Sequence, residues 1–208
     1  MEWFSTLTLA LGSAWTSGIN LYATVSVLGL LQKSGLTKLP AGLEALDNWW
    51  IIGIAIGLYI IEFVADKVPY VDNVWDVVHT FIRVPAGAAM AFAATSEDGA
   101  TIYVIATLLG GGLAFSSHST KAAIRAGANL SPEPFSNWIL SLIEDIIAFI
   151  GAILAVFAPL IIAICLIVFV LFFVWFAPKA FRALQRAFRA VRSIFRTEKS
   201  SKLFRNSV

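Results

Sequence analysis

Long apolar runs separated by short polar breaks set the pattern of this chain, and none shows the sustained period-two alternation of a barrel strand. The first run extends from about Phe4 to Leu31, the second from Trp49 to Ala65, the third from Thr80 to Thr95 and the fourth from Ala100 to Phe115. A polar stretch, Ser116–Leu130, follows, and then an apolar run from Phe135 to Ala177. One perpendicular membrane span takes roughly 20 residues. The first run is therefore too long for a single span and must tilt, bend or break. The last would be about 65 Å long as one helix, twice a bilayer, and is expected to divide near Ala158–Pro159, where proline interrupts a helix. The pattern predicts an all-α polytopic membrane bundle of about six segments, the first of them broken or re-entrant.

Composition changes this picture in one respect only. At 59% hydrophobic and 13% charged residues, with a mean hydropathy of +0.82, the chain is too oily for a soluble domain. Its charge is unevenly divided: residues 1–178 carry six basic and twelve acidic side chains, residues 179–208 nine basic and one acidic. The basic character belongs to the tail, so the chain reads as a membrane domain, 1–178, and a basic amphipathic tail, 179–208. With six spans both termini share a side, and the tail makes that side cytoplasmic by the positive-inside rule. Lys67, Arg83, Lys121 and Arg125 agree, falling on the inner side, against Lys33 and Lys38 outside. The N-terminus lacks a basic region and a small-residue cleavage site, so no cleaved signal peptide is expected. The lone Cys165 excludes an intramolecular disulfide and a cysteine-rich metal site.

Three spans in each half would turn the second half upside down, and two pairs of motifs fit that relation. GSAWTSGINLYA (Gly12–Ala23) and GLAFSSHSTKAA (Gly112–Ala123) both place small and hydroxyl residues before a polar group, and Ile61-Glu62 and Ile143-Glu144 recur in the spans that follow. Inverted-repeat transporters place a midplane site between such segments; small residues that let helices pack closely explain the same pattern without one. The halves would be about 4–95 and 99–177.

Four motifs carry a resemblance to a family. GINLYATVSVLGL (Gly18–Leu30), EFVADKVPYVDNVWD (Glu62–Asp76), HTFIRVPAGA (His79–Ala88) and SSHSTKAAIRAGANLSPEP (Ser116–Pro134) occur in this order. Together they resemble the bacterial membrane proteins grouped as domain-of-unknown-function family 4126, over most of residues 5–175. The resemblance implies a multi-spanning bacterial inner-membrane domain and brings no activity or catalytic residue with it.

The ionisable residues inside these runs are the candidates for function, because charge within a bilayer is costly and is kept for pairing or for a pathway. Glu62 and Asp66 share a helical face. Asp72, Asp76, His79 and Arg83 form one stripe if residues 71–83 are helical, with Arg83 or His79 able to neutralise Asp76; the segment reads either as an ion, proton or anionic-head-group site or as a structural ion-pair network docking the third span. Pro85 is expected to break the backbone just beyond them. Asn20, after Ser17-Gly18, either unwinds the first segment and exposes carbonyls to a ligand or makes an interhelical hydrogen bond worth about 0.6–2 kcal/mol. His118, Lys121 and Arg125 would present three cations on one face, suited to a phosphate or lipid head group or to anchoring the topology. Glu144 and Asp145 lie some 12 Å along span five; they either pair with Lys121 or Arg125 as a structural salt bridge or couple a cation or proton to transport.

No metal-ligand spacing, nucleophile elbow, phosphate-binding loop or dinucleotide fingerprint is present, so neither a metal nor a cofactor is expected, and an acid/base enzyme built on His79 and Asp76 is the weakest reading. Gly110–Gly112 reads as a packing or bending point. In the tail, Phe181, Leu184, Phe188, Val191 and Phe195 alternate with Arg182, Arg186, Arg189 and Arg196 at helical spacing, which suits an interfacial helix on anionic phospholipids rather than on nucleic acid. Two functions follow. One is a small transporter or flippase-like permease for a solute, ion or lipid head group; the other is a non-transporting membrane scaffold or lipid-interacting protein whose polar residues are structural. Transport requires a water-accessible cavity joining the motifs, whereas a scaffold requires dry ion pairs.

Overall fold

The computed structural model describes residues 2–68, 71–129 and 134–205, and the elements among them are helical. In order they are α1 (Glu2–Lys33), a 3-10 helix (Ala41–Asp47), α2 (Trp49–Ala65), α3 (Val71–Thr95), α4 (Ala100–Ala128), α5 (Pro134–Phe157) and α6 (Pro159–Arg205). Five helices are long and apolar enough to cross a membrane. The 17-residue α2 meets that test only together with the 3-10 helix, from which it bends by 70°. The chain is thus a multi-pass membrane helical bundle. The long apolar run divides at Ala158, and Pro159 opens α6, where its missing N–H leaves no hydrogen bond unmade.

Three local expectations are corrected. α3 starts at Val71 rather than near Thr80, and α4 continues through the polar stretch to Ala128. The polar residues concerned face the interior as buried stripes, at the helical spacing read from the sequence. Pro85 does not break α3; it removes its own N–H, while Arg83 and Gly87 on either side dock the helix on its neighbours.

By internal packing the chain forms two units, residues 1–168 and 169–208. In the first, helices meet through small residues. A Cβ added at Gly18 would overlap Ser117 and the Ala114 carbonyl, one at Gly87 would strike Ala114, one at Gly110 Ala91, and one at Gly151 the Thr16 methyl. Close backbone approach of this kind is how helices associate in lipid, where apolar burial supplies no driving force. Bulky aliphatics such as Ile54, Ile60, Leu108, Ile139 and Ile150 are exposed instead. In the second unit α6 continues without a break through Pro178, with Phe181, Leu184, Arg182, Arg186 and Arg189 exposed. The side chains of Phe188, Val191, Phe195 and Arg196 lie outside the described residues.

α1 is the centre of the first unit and touches α2, α3, α4 and α5. It is interrupted at Asn20, whose φ of −148° and ψ of 101° are extended. Both its ends lie at one end of the bundle. Ser5, Thr6 and Leu9 line a cavity with Thr37–Ala41 and with Ala94, Glu97, Asp98 and Val156 near the ends of α3 and α5. At its other end, Gly29 packs on Leu46 and Ile52, and Lys33 lies over the Trp49 ring, 5.6 Å from the centroid. Gly42, in the same 3-10 helix as Leu46, rests on the Ala93 carbonyl and Ser96. α1 therefore enters and returns on one side, with Asn20 at the innermost point.

Candidate functional site

The innermost turn of α1 leaves backbone groups unpaired within the bundle, and charged side chains from the surrounding helices meet them. Helix ends leave carbonyls at the C-terminus and N–H groups at the N-terminus without intrahelical partners. The carbonyl of Ile19 accepts from Arg83 Nη1 at 2.9 Å and from Lys121 Nζ at 3.3 Å. Two cations thus cap the first half of α1 at its negative end. Asn20 caps the second half: its Oδ1 accepts from the Ala23 N–H at 3.0 Å, and its Nδ2 donates to Asp145 Oδ1 at 3.0 Å. Asn20 thus interrupts the helix and makes an interhelical bond, and the opened Ile19 carbonyl accepts from the protein's own cations.

Around these caps lies an ion-paired network. Lys121 has three carboxylates within reach: Glu62 Oε1 at 3.2 Å, Asp66 Oδ2 at 3.1 Å and Glu144 Oε2 at 3.6 Å. Arg83 Nη2 pairs with Glu62 Oε1. Arg125 forks onto Glu144 through Nε and Nη2, donates to Asp66 Oδ2 at 3.0 Å and to the Asp66 carbonyl at 2.8 Å, and lies 3.7 Å from Asp72 Oδ2. The side chains of Glu62, Arg83, Arg125 and Asp72 have no solvent exposure; that of Glu144 has 12%. The partners come from α2, α3, α4 and α5, so the network ties four helices to the turn of the fifth. Glu62, Asp66, Asp72, Arg83, Lys121, Arg125 and Glu144, all named from the sequence, belong to this network.

The two histidines are held through both ring nitrogens. His118 Nδ1 faces Arg83 Nη1 at 3.3 Å and must accept, since guanidinium only donates. Its Nε2–H is then shared between the Asp76 carbonyl at 3.0 Å and Thr80 Oγ1 at 2.8 Å. His79 donates from Nδ1 to the Trp75 carbonyl at 2.8 Å, and its Nε2 is hydrogen-bonded to the Tyr22 hydroxyl at 2.9 Å, so both ring nitrogens are engaged away from the Asp76 carboxylate. Its ring stacks on Trp75 with centroids 4.5 Å apart. His79 therefore does not neutralise Asp76, and Arg83 Nη1 comes only to 4.0 Å from it. The anion-binding alternative for His118, Lys121 and Arg125 finds these side chains turned inward onto carboxylates and carbonyls.

Some members were not singled out from the sequence. Asn129 Nδ2 donates to both oxygens of Asp72, at 3.1 and 2.9 Å, and its Oδ1 accepts from Asn137 Nδ2. Asn137, Ser141 and Asp145 are all buried and lie four residues apart on α5, a polar stripe that the surrounding isoleucines obscure. Tyr22 stands inside a quoted motif and carries no charge to draw notice. At the rim, beyond α2, Lys67 donates to the Phe63 carbonyl at 3.0 Å and to Ser141 Oγ at 3.4 Å, and its partial burial lowers the ammonium pKa below the usual lysine value.

Two cavities lie elsewhere. The larger, of about 610 Å³, is the one beside Ser5, Lys38 and Asp98, and the other is a shallow apolar hollow at Val71, Val74, Trp75 and Val78. Among the described residues no three His, Cys, Asp or Glu side chains converge as metal ligands. No curated protein and no solved structure matches the chain. The family model described as Domain of unknown function (DUF4126) matches residues 7–179, which include the whole of this buried network and the helices that hold it, and the chain belongs to that family.

Proposed function

We propose that this protein is a non-transporting membrane scaffold that interacts with lipid, its polar centre serving to hold a re-entrant helix inside a bundle. One observation carries the reading: most of the charged motif residues meet in a buried, ion-paired network, and neither of the two cavities described above is lined by any of its charged members. A half-helix ending within the bilayer must have its backbone groups met from inside the protein, and Arg83, Lys121 and Asn20 do this. Carboxylates from three helices then balance the two cations. The exposed arginines of α6, with Phe181 and Leu184, suit an anionic inner leaflet of a bacterial plasma membrane, which puts the C-terminus in the cytoplasm.

The transport reading is favoured by one observation, the excess of carboxylates over cations at the centre. An inverted relation of residues 4–95 to 99–177 belongs to that reading; the interruption at Asn20 has no counterpart among the φ/ψ values of α4. Reconstitution separates the two. Vesicles containing the protein should show no flux of protons, alkali ions, phosphate or fluorescent phospholipid above empty vesicles, while the protein retains binding to vesicles with anionic lipid that is weakened by salt. A saturable flux lost in Lys121→Met would reverse the conclusion in favour of a permease.

A further inference from the structure

The centre holds six carboxylates, on Glu62, Asp66, Asp72, Asp76, Glu144 and Asp145, against the buried cations Arg83, Lys121 and Arg125, with Lys67 at the rim. Five of the acids are accounted for individually. Glu62, Asp66 and Glu144 receive charge-assisted hydrogen bonds, Asp72 receives Asn129, and Asp145 receives Asn20. Asp76 differs. It is 3% exposed, and neither of its carboxylate oxygens has a hydrogen-bond partner among the described residues. The nearest cation, Arg83 Nη1, is 4.0 Å away and directs its hydrogens to the Ile19 carbonyl and His118. His118 meets the backbone carbonyl of Asp76, not its side chain.

We propose that the Asp76 carboxylate is the binding position for one small monovalent cation, a proton or an alkali ion. A bare ionised carboxylate at this burial would carry a desolvation penalty of several kcal/mol, and a single positive charge bound to its oxygens removes it. A single charge is inferred because Lys121, Arg83 and Arg125, which act on Asp76 together with Asp66, repel a second one. Tyr22, on α1, is engaged with His79. The inference is independent of whether the protein transports anything, since a structural charge-balancing ion satisfies it equally.

The test uses the full chain in nanodiscs. The melting temperature of the wild type is followed against pH at fixed salt, and against sodium and potassium at fixed pH with choline as replacement. Binding to the folded state alone raises the melting temperature with ligand concentration. The wild type should therefore melt higher either as pH falls or as the alkali ion rises. Asp76→Asn should lose that particular dependence, Asp76→Glu should keep it, and other titrating groups cancel in the comparison of the variants. Infrared difference spectra separate the sources: a carboxylic-acid C=O band that disappears in Asp76→Asn identifies a proton, and alkali dependence without that band identifies a metal ion. Parallel ion dependence in wild type and Asp76→Asn would overturn the proposal. So would an Asp76→Asn protein that melts lower than wild type under every condition, because the negative charge itself would then be the counter-ion of Arg83.

Discussion

Glu144 illustrates how far single residues could be read before their neighbours were placed. Its depth in an apolar run demanded a partner, and the basic residues of α4 were the suited ones; Arg125 and Lys121 are indeed what it meets. The stripes Glu62/Asp66, Asp72/Asp76/His79/Arg83 and His118/Lys121/Arg125 were equally legible, because helical spacing alone puts them on one face. Their pairing was not, since each bond joins residues from different helices and sequence spacing contains no such distance. Asp76 shows the difference: Arg83 is seven residues away on the same face, yet it turns to Glu62 and the Ile19 carbonyl. Glu144→Gln should fold but melt lower, with a loss of about 3 kcal/mol. That is the low end for breaking a buried pair, because Arg125 keeps Asp66 and the glutamine carbonyl still accepts. A thermal melt with a matching Arg125→Gln cycle measures it. An unchanged melting point would mean that Glu144 is hydrated and carries no part of the network.

At the scale of elements, run length located six helices but hid the direction of the first. That Asn20 interrupts α1 follows from its extended backbone and from a side chain suited to N-capping. The return of the chain depends on one pair of dihedral angles and on what the second half packs against, neither of which a hydropathy pattern contains. Glycines make the packing testable. Gly18→Ala forces a Cβ into Ser117 and the Ala114 carbonyl and should separate α1 from α4; overpacking of this kind costs about 1–3 kcal/mol. Gly53→Ala, on α2, meets nothing within 4 Å and should be neutral or stabilising by up to about 1 kcal/mol, as expected for alanine replacing glycine in a helix. Equal effects of the two changes on the melting temperature would contradict the close approach of α1 and α4.

For the whole molecule, the turn at Asn20 alters the count of crossings and with it the orientation of the N-terminus. Six full spans would place both termini in the cytoplasm, as parity and the basic tail suggested. With α1 beginning and ending beside the ends of α3 and α5, the expected crossings are α2 to α6, an odd number, which predicts termini on opposite sides. With the C-terminal side cytoplasmic by the positive-inside rule, this arrangement predicts an N-terminus on the outer face with Lys38, Asn48 and Glu97. Single cysteines in a Cys165→Ala background decide the matter. Asn48 and Ser201 differ in either topology and serve as references, one reacting with impermeant maleimide in intact cells and the other only after permeabilisation. A cysteine at Trp3, which is 55% exposed, should react together with the one at Asn48. If it reacts with Ser201 instead, α1 crosses the membrane, and the cations that cap its interrupted centre must be serving a full span rather than a returning one.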